Sequence, residues 1–517
     1  MKKRTNIFST VFLTSLLLMS CNDFLDETPD NRAERDTEDK ITKLLVSAYP
    51  EINHCMITEM ASDNTDDNGG TWNSYGLVQE QSYLWEDVTD QDFDSPSELW
   101  NACYAAIAAA NQALATIGQL GYTEKMKPQI GEALLCRAYG HFILVNVFSK
   151  HYTQTTDYDD LGIPYMETPE TEVAPQYKRL SVAEVYQKIN HDIETGLPLI
   201  DDNSYSVPKY HFNTKAAYAF AARFNLYYGN YNKVIEYATR VLTNNPSTVL
   251  RNWGTEGLLS PNGTASPMGN AYINADNPAN LLLISTYSIW GRVYGPSYDG
   301  TKYTHNDMIA SYETCKAPSS WGGSANLNYL VASYSGIPKV LMRKLNEYFE
   351  VSDAVNGIGQ PHVILPVFTT DETLLCRAEA YVMKKDYNNA LKDLAIWQSA
   401  FTKNKSLTRS IINELYSALP YYKPDAPTPK KALNPDFTVT PGEQENFIHC
   451  ILHMRRVLTL HEGLRWFDIK RYGIEIYRRT VHNNAIVITD TLLKNDNRRA
   501  IQLPQEIINA GLKANPR

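Results

Sequence analysis

The amino-acid sequence predicts a mainly α-helical protein in which a helical scaffold carries long irregular segments. Apolar residues recur at helical spacing over residues 97–120 and 131–148, which predicts two long helices. Residues 215–246 and 371–397 each have the pattern of a helix, a tight turn and a second helix. The segments between these blocks are dense in Gly, Asn, Ser, Pro, Tyr and Trp. Their many aromatic residues argue against disorder.

Local signals support the individual helices. The predicted helix over 97–120 has one face formed by Trp100, Tyr104, Ile107, Asn111 and Leu114. Ser181 and Glu184 form a capping box that predicts the start of a further helix, which we expect to end before the next proline. Trp100 and Trp466 have apolar neighbours at helical spacing, so we assign both rings to the core.

The two helix–turn–helix stretches resemble each other and the tetratricopeptide pattern. Ala222 and Ala378 are small residues at the positions where a neighbouring helix would cross. The turns Gly229-Asn230-Tyr231 and Lys385-Asp386-Tyr387 lie at equivalent positions. Because one helix pair cannot bury its apolar face alone, we expect such units to stack and share a core.

Composition excludes several classes of protein. The chain has 517 residues and a formal net charge of −10, which argues against nucleic-acid binding because phosphate recognition needs a basic surface. A mean hydropathy of −0.38 excludes a polytopic membrane protein. The chain has 34 Tyr and 8 Trp against 15 Phe. Tyr and Trp combine an apolar face with a polar edge, so this surplus suits surfaces that stack on polar ligands.

The N-terminus has the pattern of a lipoprotein signal. A basic start at residues 2–4 precedes an apolar run over 8–19, which is too short for a stable membrane span. The run ends Leu17-Leu18-Met19-Ser20-Cys21, the order of a bacterial lipobox, so we predict that Cys21 is acylated and becomes the new N-terminus. The predicted organisation is a signal peptide over 1–20, a tether over 21–40 and a single domain over 41–517.

Motifs for metal or cofactor chemistry are weak. The seven cysteines include no CxxC pair, and Cys136 and Cys376 lie on apolar helical faces, where buried thiols are expected. Residues 64–69 fit the first half of a calcium loop, but its twelfth position is Tyr75 rather than Glu. Neither a phosphate loop nor a GxSxG elbow is present. We therefore predict no metal, no cofactor and no catalytic residue.

A set of motifs spread over nearly the whole chain resembles a known family. The motifs are Trp100-x3-Tyr104-x2-Ile107-x3-Asn111, Glu132-Ala133, Arg137-Ala138-Tyr139, Arg377-Ala378-Glu379-Ala380, Arg455-Arg456, His461-Glu462-Gly463-x-Arg465-Trp466-Phe467-Asp468, Leu503-Pro504-Gln505-Glu506 and Asn515-Pro516. Together with the lipobox they resemble the SusD/RagB family of outer-membrane lipoproteins. The Glu-Gly-x-Arg-Trp-Phe-Asp string is the most specific of them.

The resemblance implies a fold and a role. It implies four tetratricopeptide-like helix pairs, at approximately 97–150, 181–246, 371–400 and 445–472, with loop-rich binding segments at approximately 60–96 and 250–335. It also implies a lipid-anchored protein that faces the cell exterior, binds glycan and caps a SusC-like TonB-dependent transporter. Family members bind their ligands without catalysis, and a minority capture peptides.

The loop-rich segments supply candidate binding residues, carried over by region because these loops have no fixed motif. Sugar binding needs flat aromatic faces beside polar side chains that bond hydroxyl groups. The candidates are Asp67, Trp72, Tyr75 and Trp85 in the first segment, and Trp290, Arg292, Tyr294 and Trp321 in the second. For any single ring the alternative is packing against the scaffold.

The charged motif near the C-terminus has a structural interpretation. Glu462–Arg465 and Asp468–Arg471 are spaced i,i+3, so we expect ion pairs on one helix rather than a charged site. The alternatives to glycan binding are a peptide- or glycopeptide-binding protein and a scaffold of an outer-membrane complex that binds no ligand. A two-carboxylate glycosidase is supported only by the abundance of acidic residues.

Overall fold

A computed structural model describes residues 38–154, 160–172, 175–259, 266–482 and 485–517. The predicted signal peptide, Cys21 and nearly all of the predicted tether lie outside the described residues. About 47% of the described residues are helical, which confirms a mainly helical protein. Among the described residues, none of the helices combines the length and the apolar character that crossing a bilayer requires.

The helices follow one another along the whole described chain. In chain order they are α1 (Glu38–Leu45), α2 (Cys55–Ala61), α3 (Leu77–Leu84), α4 (Pro96–Leu120), α5 (Lys127–Phe148), α6 (Val182–Gly196), α7 (Thr214–Tyr228), α8 (Tyr231–Leu242), α9 (Trp253–Glu256), α10 (Pro267–Tyr272), α11 (Trp290–Val293), α12 (Asp307–Tyr312), α13 (Thr370–Met383), α14 (Tyr387–Phe401), α15 (Arg409–Ala418), α16 (Glu443–Leu458), α17 (Arg465–Arg471) and α18 (Gln505–Asn509).

The predicted long helices are present with the expected ends. Helix α4 starts after Ser95, whose hydroxyl accepts from the N–H of Glu98, and it has proline at its first position. Helix α6 starts with the predicted capping box, because Ser181 and Glu184 each accept from the other's backbone N–H. Helices α4, α5 and α6 pack in sequence against one another.

Both predicted repeats form a helix, a turn and a helix, as α7–α8 and α13–α14. The two turns have the same backbone conformation, since Gly229 (φ 78°) and Lys385 (φ 63°) both lie in the left-handed region. The next residue then caps the second helix: Asn230 accepts from Lys233 N–H (3.4 Å), and Asp386 from Asn389 N–H. Ala222 and Ala378, at the predicted crossing points, are fully buried.

Three small sheets interrupt the helical scaffold. Their strands are β1 (Asp66–Asp67), β2 (Asn280–Tyr287), β3 (Tyr303–Thr304), β4 (Ala332–Tyr334), β5 (Ile337–Leu341), β6 (Tyr348–Asp353), β7 (Ile358–Thr369), β8 (Ile476–His482) and β9 (Ala485–Leu492). The strand orders are β3-β1-β8-β9, β2-β7-β6 and β4-β5. In the first sheet β1 runs parallel to β8, so the sheet joins a segment near the N-terminus to one near the C-terminus.

The strands correct the expectation of purely irregular segments. Strand β2 contains the apolar run Leu281–Ile284 of the second loop-rich segment, and its inner residues are buried against β7. The hairpin β6–β7 lies between the predicted binding segment and helix α13, where no element was predicted. Its turn contains Asn356-Gly357, a dipeptide that favours hairpins between alternating apolar residues.

One large apolar core extends through the helical scaffold, and a smaller cluster lies beneath the loop-rich segments. Trp100 and Trp466 belong to the large core, as predicted. Cys136 and Cys376 are buried free thiols, which also agrees with the sequence. The smaller cluster includes Trp290 and so determines where the candidate binding aromatics lie.

The charged motif near the C-terminus is structural, but only one of its two predicted pairs forms. Asp468 and Arg471 are paired (2.8 Å) on α17. Glu462 precedes the helix and pairs with Lys344, while Arg465 forms a two-pronged pair with Asp63 (2.8 Å for both contacts). The prediction for Glu462–Arg465 was wrong because α17 begins only at Arg465, so helical spacing does not apply to Glu462.

Candidate functional site

An open groove of about 930 Å³ lies where four distant segments meet beside Pro338 of β5. These segments are the residues after β1, helix α12, the proline-rich stretch 420–428 and strand β9. The lining residues are Asn68, Thr71, Trp72, Asn306, Asp307, Met308, Ser311, Tyr312, Pro338, Pro420, Asp425, Ala426, Pro427, Thr428 and Ile486. The groove therefore combines aromatic rings and prolines with amide, hydroxyl and carboxylate groups.

Two aromatic side chains present their rings at the groove. Trp72 is partly exposed and stacks on Tyr298, with ring centroids 6.0 Å apart and planes 14° apart. Tyr298 itself is 65% exposed, so the pair has a free ring face. Tyr312 lies at the end of α12 and is also more than half exposed. Flat rings beside polar side chains are suited to the C–H faces and the hydroxyl groups of a sugar.

Asn68 fixes the floor of the groove. Its side-chain N–H₂ donates to the carbonyl of Thr301 and to the hydroxyl of Thr304 (both 2.8 Å). Its side-chain oxygen accepts from Asn306 (2.9 Å), and Asn306 in turn caps α12 by accepting from the N–H of Ile309. The position of Tyr312, on that helix, therefore depends on the segment that carries Trp72.

A buried ion network beneath the groove joins β1, the end of α12 and the proline-rich region to strand β8 and helix α16. Glu313 follows α12 and pairs with Lys431 (2.7 Å), Arg479 (2.6 Å) and Arg456 (3.2 Å). Arg479, on β8, also pairs with Asp66 of β1 (2.8 Å). We call these five residues, together with Asp63 and Arg465, the sub-groove network. Because each charge has a partner, burial of the cluster is tolerated.

The electrostatics of the network lower the pKa of two of its three carboxylates, Glu313 and Asp63, whereas burial raises the pKa of Asp66. Burial alone would raise the pKa of Glu313, but Lys431, Arg479 and Arg456 together lower it to about 2. The pKa of Asp63 is likewise held well below its usual range, since Arg456 and Arg465 outweigh its burial. Burial lowers the pKa of Lys431 to about 8, although Glu313 and Asp63 oppose this.

The proline-rich wall rests on the same network. The ring of Tyr422 lies 3.1 Å from the ammonium group of Lys431 and accepts a hydrogen bond from Arg479 at its hydroxyl (3.3 Å). The backbone N–H of Tyr422 donates to the carbonyl of Lys430 (2.7 Å), which closes the loop that carries Asp425. Cation–π contact and hydrogen bonding thus hold a segment that has little regular secondary structure.

The candidates predicted from the sequence separate into four groups, of which the first three are partly exposed or lie near the surface. Trp72 lines the groove. Asp67 lies next to it but is engaged structurally, accepting from Gly69 N–H (2.8 Å) and lying 3.6 Å from the ammonium group of Lys302. Tyr75 and Arg292 form another cluster, in which Arg292 donates to the Tyr75 hydroxyl (2.7 Å) and pairs with Glu347.

The other four predicted aromatics are buried, so the expectation that they stack on a ligand was wrong. Trp290 and Trp321 are fully covered, and Trp85 and Tyr294 nearly so. The indole N–H of Trp290 donates to the carbonyl of His461 (2.7 Å), and that of Trp85 to Ala61 (2.8 Å). Trp321 packs on His453 with ring centroids 4.8 Å apart. Irregular segments lack a periodicity that would show which rings point inwards.

Several groove residues were not singled out from the sequence. Tyr312 and Asp307 lie on α12, and Asp425 and Thr428 lie in the proline-rich stretch. The available signal was a cluster of Pro, Asp and Thr between two helices, which is typical of an exposed loop. Nothing in the sequence indicated that this loop lies opposite Trp72.

Two further concavities differ in character from the groove. One, of about 390 Å³, is mostly apolar and lies between α4 and residues 507–512. The other is a shallow depression beside the α7–α8 turn, lined by Tyr152, Tyr228 and Tyr231. Of these three concavities among the described residues, the groove is the one on the loop-rich face, where partly exposed aromatic rings lie beside amide, hydroxyl and carboxylate side chains. Within the described residues, no group of three or more His, Cys, Asp or Glu side chains is placed to hold a metal ion.

Comparison with known proteins supports the resemblance drawn from the sequence motifs. Residues 23–226 match the SusD-like_3 family model, described as starch-binding and associating with the outer membrane. Over these residues the chain is similar to SusD-like proteins. No curated protein matches it in sequence.

Solved SusD structures share the fold over almost the full length. A SusD superfamily protein from Bacteroides thetaiotaomicron is 18% identical, with a TM-score of 0.63 over 93% of this chain and 99% of its own. A putative sugar-binding protein from Bacteroides vulgatus is also 18% identical, with a TM-score of 0.63 over 92% of this chain and 98% of its own. A SusD-like carbohydrate-binding protein from the same species is 15% identical, with a TM-score of 0.62 over 91% and 96%.

Proposed function

We propose that this SusD-like protein binds glycan at the cell surface and delivers it to a SusC-like TonB-dependent transporter in the outer membrane. The family model and the names of two structural neighbours support the ligand class. The observation that carries the proposal is the groove, in which Trp72 and Tyr312 lie among amide, hydroxyl and carboxylate side chains. The lipobox supports a lipid anchor at Cys21.

The shape of the groove suits a chain of sugars. An open cleft formed by four segments leaves both ends of an oligosaccharide free, whereas an enclosed cavity would select a monosaccharide. Ring faces contribute apolar contact with sugar C–H groups, and the surrounding side chains can exchange water for sugar hydroxyls. Binding needs no reaction, so we propose a capture protein rather than an enzyme.

The charge of the groove favours a neutral glycan. Among the described residues that line it, Asp307 and Asp425 are the charged ones and neither Lys nor Arg occurs. Asp307 is paired with Lys316, whereas Asp425 is exposed. A uronate or sulfate group would meet a carboxylate without a lining cation to compensate, which costs affinity.

Calorimetry against neutral, uronate-containing and sulfated oligosaccharides and against mixed peptides tests the proposal. We expect a neutral glycan to bind, and Trp72→Ala and Tyr312→Ala each to weaken that binding at least ten-fold, about 1.4 kcal/mol. Tyr210→Ala is the matched control, because Tyr210 is an equally exposed tyrosine outside the groove.

Three results would contradict the proposal. Binding of peptides with no binding of any glycan would favour the peptide-capturing alternative. Release of new reducing ends from a bound glycan by the purified protein would show a glycosidase. Uptake of the glycan in cells that is unchanged by Trp72→Ala would favour the scaffold that binds no ligand.

A further inference from the structure

One face of the β2-β7-β6 sheet is buried near β2. In the β6–β7 hairpin the same face is no longer covered by the rest of the protein. On β7, Val363 and Leu365 face inwards and are buried. Alternation along the strand places residues 359 and 361 on the same side, and these pair with Val351 and Phe349 of β6. Phe349 is 53% exposed and Val351 is 54% exposed. The apolar side of the sheet therefore continues into solvent.

The end of the hairpin is also apolar, and its turn is well defined. Val355 at the tip is 92% exposed, and Ile358 is more than half exposed. Asp353 closes the turn by accepting from the backbone N–H groups of Val355 (2.9 Å) and Asn356 (3.2 Å). Gly357 supplies the left-handed conformation that such a turn requires (φ 66°). We call Phe349, Val351, Val355 and Ile358 the hairpin edge.

Strand β6 has a neighbour on one side only among the described residues, since the sheet order is β2-β7-β6. Pro361 has no N–H, so its pair with Phe349 is not one of the doubly hydrogen-bonded pairs of an antiparallel ladder. In an antiparallel ladder, the residues of the pairs that are not hydrogen-bonded direct their N–H and C=O groups away from the partner strand. Phe349 and Val351 therefore present unpaired backbone groups along the open edge.

Exposed edges of this kind are usually protected by lysine, proline or a bulge in the outer strand. Strand β6 has no lysine or proline; its bulge lies after Val351, and the one charged residue between Phe349 and Val351 is the acidic Glu350. Its sequence instead has two large apolar residues in an edge position, a combination that promotes pairing with another strand. Exposure of such an edge is thus more consistent with a binding surface than with a solvated one.

The charge around the hairpin edge is uniformly negative. The sequence contains no Lys or Arg between Lys344 and Arg377, whereas Glu347, Glu350 and Asp353 lie on or next to β6. Glu347 is engaged with Arg292, but Glu350 and Asp353 are not paired with a cation in any described contact. This charge opposes a second copy of the same edge, which would place like charges opposite one another, and it opposes an anionic membrane.

We propose that the hairpin edge docks an extended segment of a protein partner that carries apolar and basic side chains, which adds to β6 as a further strand. Backbone hydrogen bonds with Phe349 and Val351 provide the pairing, and the basic side chains complement Glu350 and Asp353. The surface is separate from the groove, since none of its residues lines it. The inference therefore does not depend on the ligand of the groove.

Fluorescence anisotropy with two labelled octapeptides tests the proposal on the full chain. One peptide alternates valine with lysine, and the other alternates valine with glutamate. We expect the Val–Lys peptide to bind at least ten-fold more tightly than the Val–Glu peptide, with affinity falling as salt is raised. A Val–Lys peptide that is N-methylated at alternate residues, and so cannot complete the ladder, should lose binding.

Variants locate the site. Val351→Pro removes one outward N–H from an edge position that tolerates proline, and Phe349→Ser removes the apolar contact. Each substitution should lower the affinity for the Val–Lys peptide at least ten-fold, and each variant should unfold at a temperature close to that of the parent protein. Val351→Thr, which keeps the N–H and the β-branch, is the matched control and should keep most of the affinity.

Four outcomes would overturn the proposal. These are equal affinity for the two peptides, unchanged affinity in Val351→Pro and Phe349→Ser, dimerisation that these two variants abolish, and co-sedimentation with phosphatidylglycerol vesicles that they abolish. The third outcome would show that a second copy occupies the edge, and the fourth would show a membrane contact.

Discussion

At the scale of single side chains, Glu313 connects the segments that form the groove. Its carboxylate is in contact with Lys431 from the proline-rich region, Arg479 from β8 and Arg456 from α16. All four side chains are buried. Removing the negative charge would leave three cations without their shared partner, which costs more than the pair itself contributes.

We expect Glu313→Gln to lower the free energy of unfolding by about 3–5 kcal/mol, measured by urea denaturation at neutral pH. The matched control is Glu236→Gln, which removes an exposed i,i+4 pair with Arg240 and should cost no more than about 0.5 kcal/mol. Equal effects of the two substitutions would contradict the role given to the sub-groove network.

The stability difference between the parent and Glu313→Gln should also depend on pH, and the direction of that dependence follows from the pKa of Glu313. The pKa of Glu313 falls from an ordinary value near 4.5 to about 2 on folding, so its stabilising contribution is present above pH 4.5 and is lost as pH falls towards 2. The stability difference between the parent and Glu313→Gln should therefore shrink over that interval. Asp63 loses its contribution in the same direction, so the variant keeps part of the acid sensitivity.

Residue roles in the loop-rich segments were the least predictable from the sequence. Trp72 and Trp290 lie in equally aromatic surroundings, yet Trp72 lines the groove and Trp290 is buried in the smaller core cluster. Inward and outward positions in a helix follow from spacing, as they did for Trp100. In an irregular segment they depend on contacts with distant residues, such as the bond from Trp290 to His461.

At the scale of elements, the proline-rich stretch 420–428 forms a wall of the groove through side chains held from below. Tyr422 packs on Lys431, and Asp425 projects from the same loop as an exposed carboxylate that lines the groove. A change at Asp425 alters the charge of the wall without removing a contact of the sub-groove network.

We expect Asp425→Lys to increase affinity for a uronate-containing oligosaccharide about ten-fold at low salt and to change binding of the matched neutral one by less than about three-fold, measured by calorimetry. Asp276→Lys makes the same change at an exposed carboxylate outside the groove and should have neither effect. Selectivity that is the same in both variants would show that Asp425 does not face the ligand.

Elements with a local signal were predicted well, and those that depend on distant partners were not. The capping box at Ser181 and the two repeated turns fixed α6, α7–α8 and α13–α14, because each signal lies within a few residues. Strand β1 has two residues and exists only through pairing with β3 and β8, more than 200 residues away. The β6–β7 hairpin also has a local signal, the dipeptide Asn356-Gly357 in its turn.

At the scale of the whole molecule, the resemblance read from scattered motifs anticipated the family and the mainly helical fold. The motifs lie mostly in the buried scaffold, where Arg137 pairs with Asp192 (2.7 Å) and Arg377 with Asp393 (2.8 Å). These motifs therefore predict how the scaffold packs, and they do not predict which residues line the groove. The ligand-facing residues come from loops whose sequence carries no shared motif, which is why the family was easier to predict than the site.

The proposed lipid anchor concerns the whole chain, and one substitution tests it. We expect Cys21→Ser to move the protein from the outer-membrane fraction to the soluble fraction and to abolish incorporation of labelled palmitate, because the acyl chains hold it. Ser20→Ala keeps a small residue before the cysteine and should remain membrane-bound. Membrane retention of Cys21→Ser would show that another contact holds the protein.

The residues that hold the groove together are different from the residues that line it. The charged side chains that fix the four segments lie below the groove, while Trp72, Tyr312, Asp425 and Thr428 contribute to its lining above them. Exchange of these upper residues removes none of the ion pairs that set the spacing of the walls. Ligand preference can therefore diverge between related chains while the framework beneath keeps its geometry.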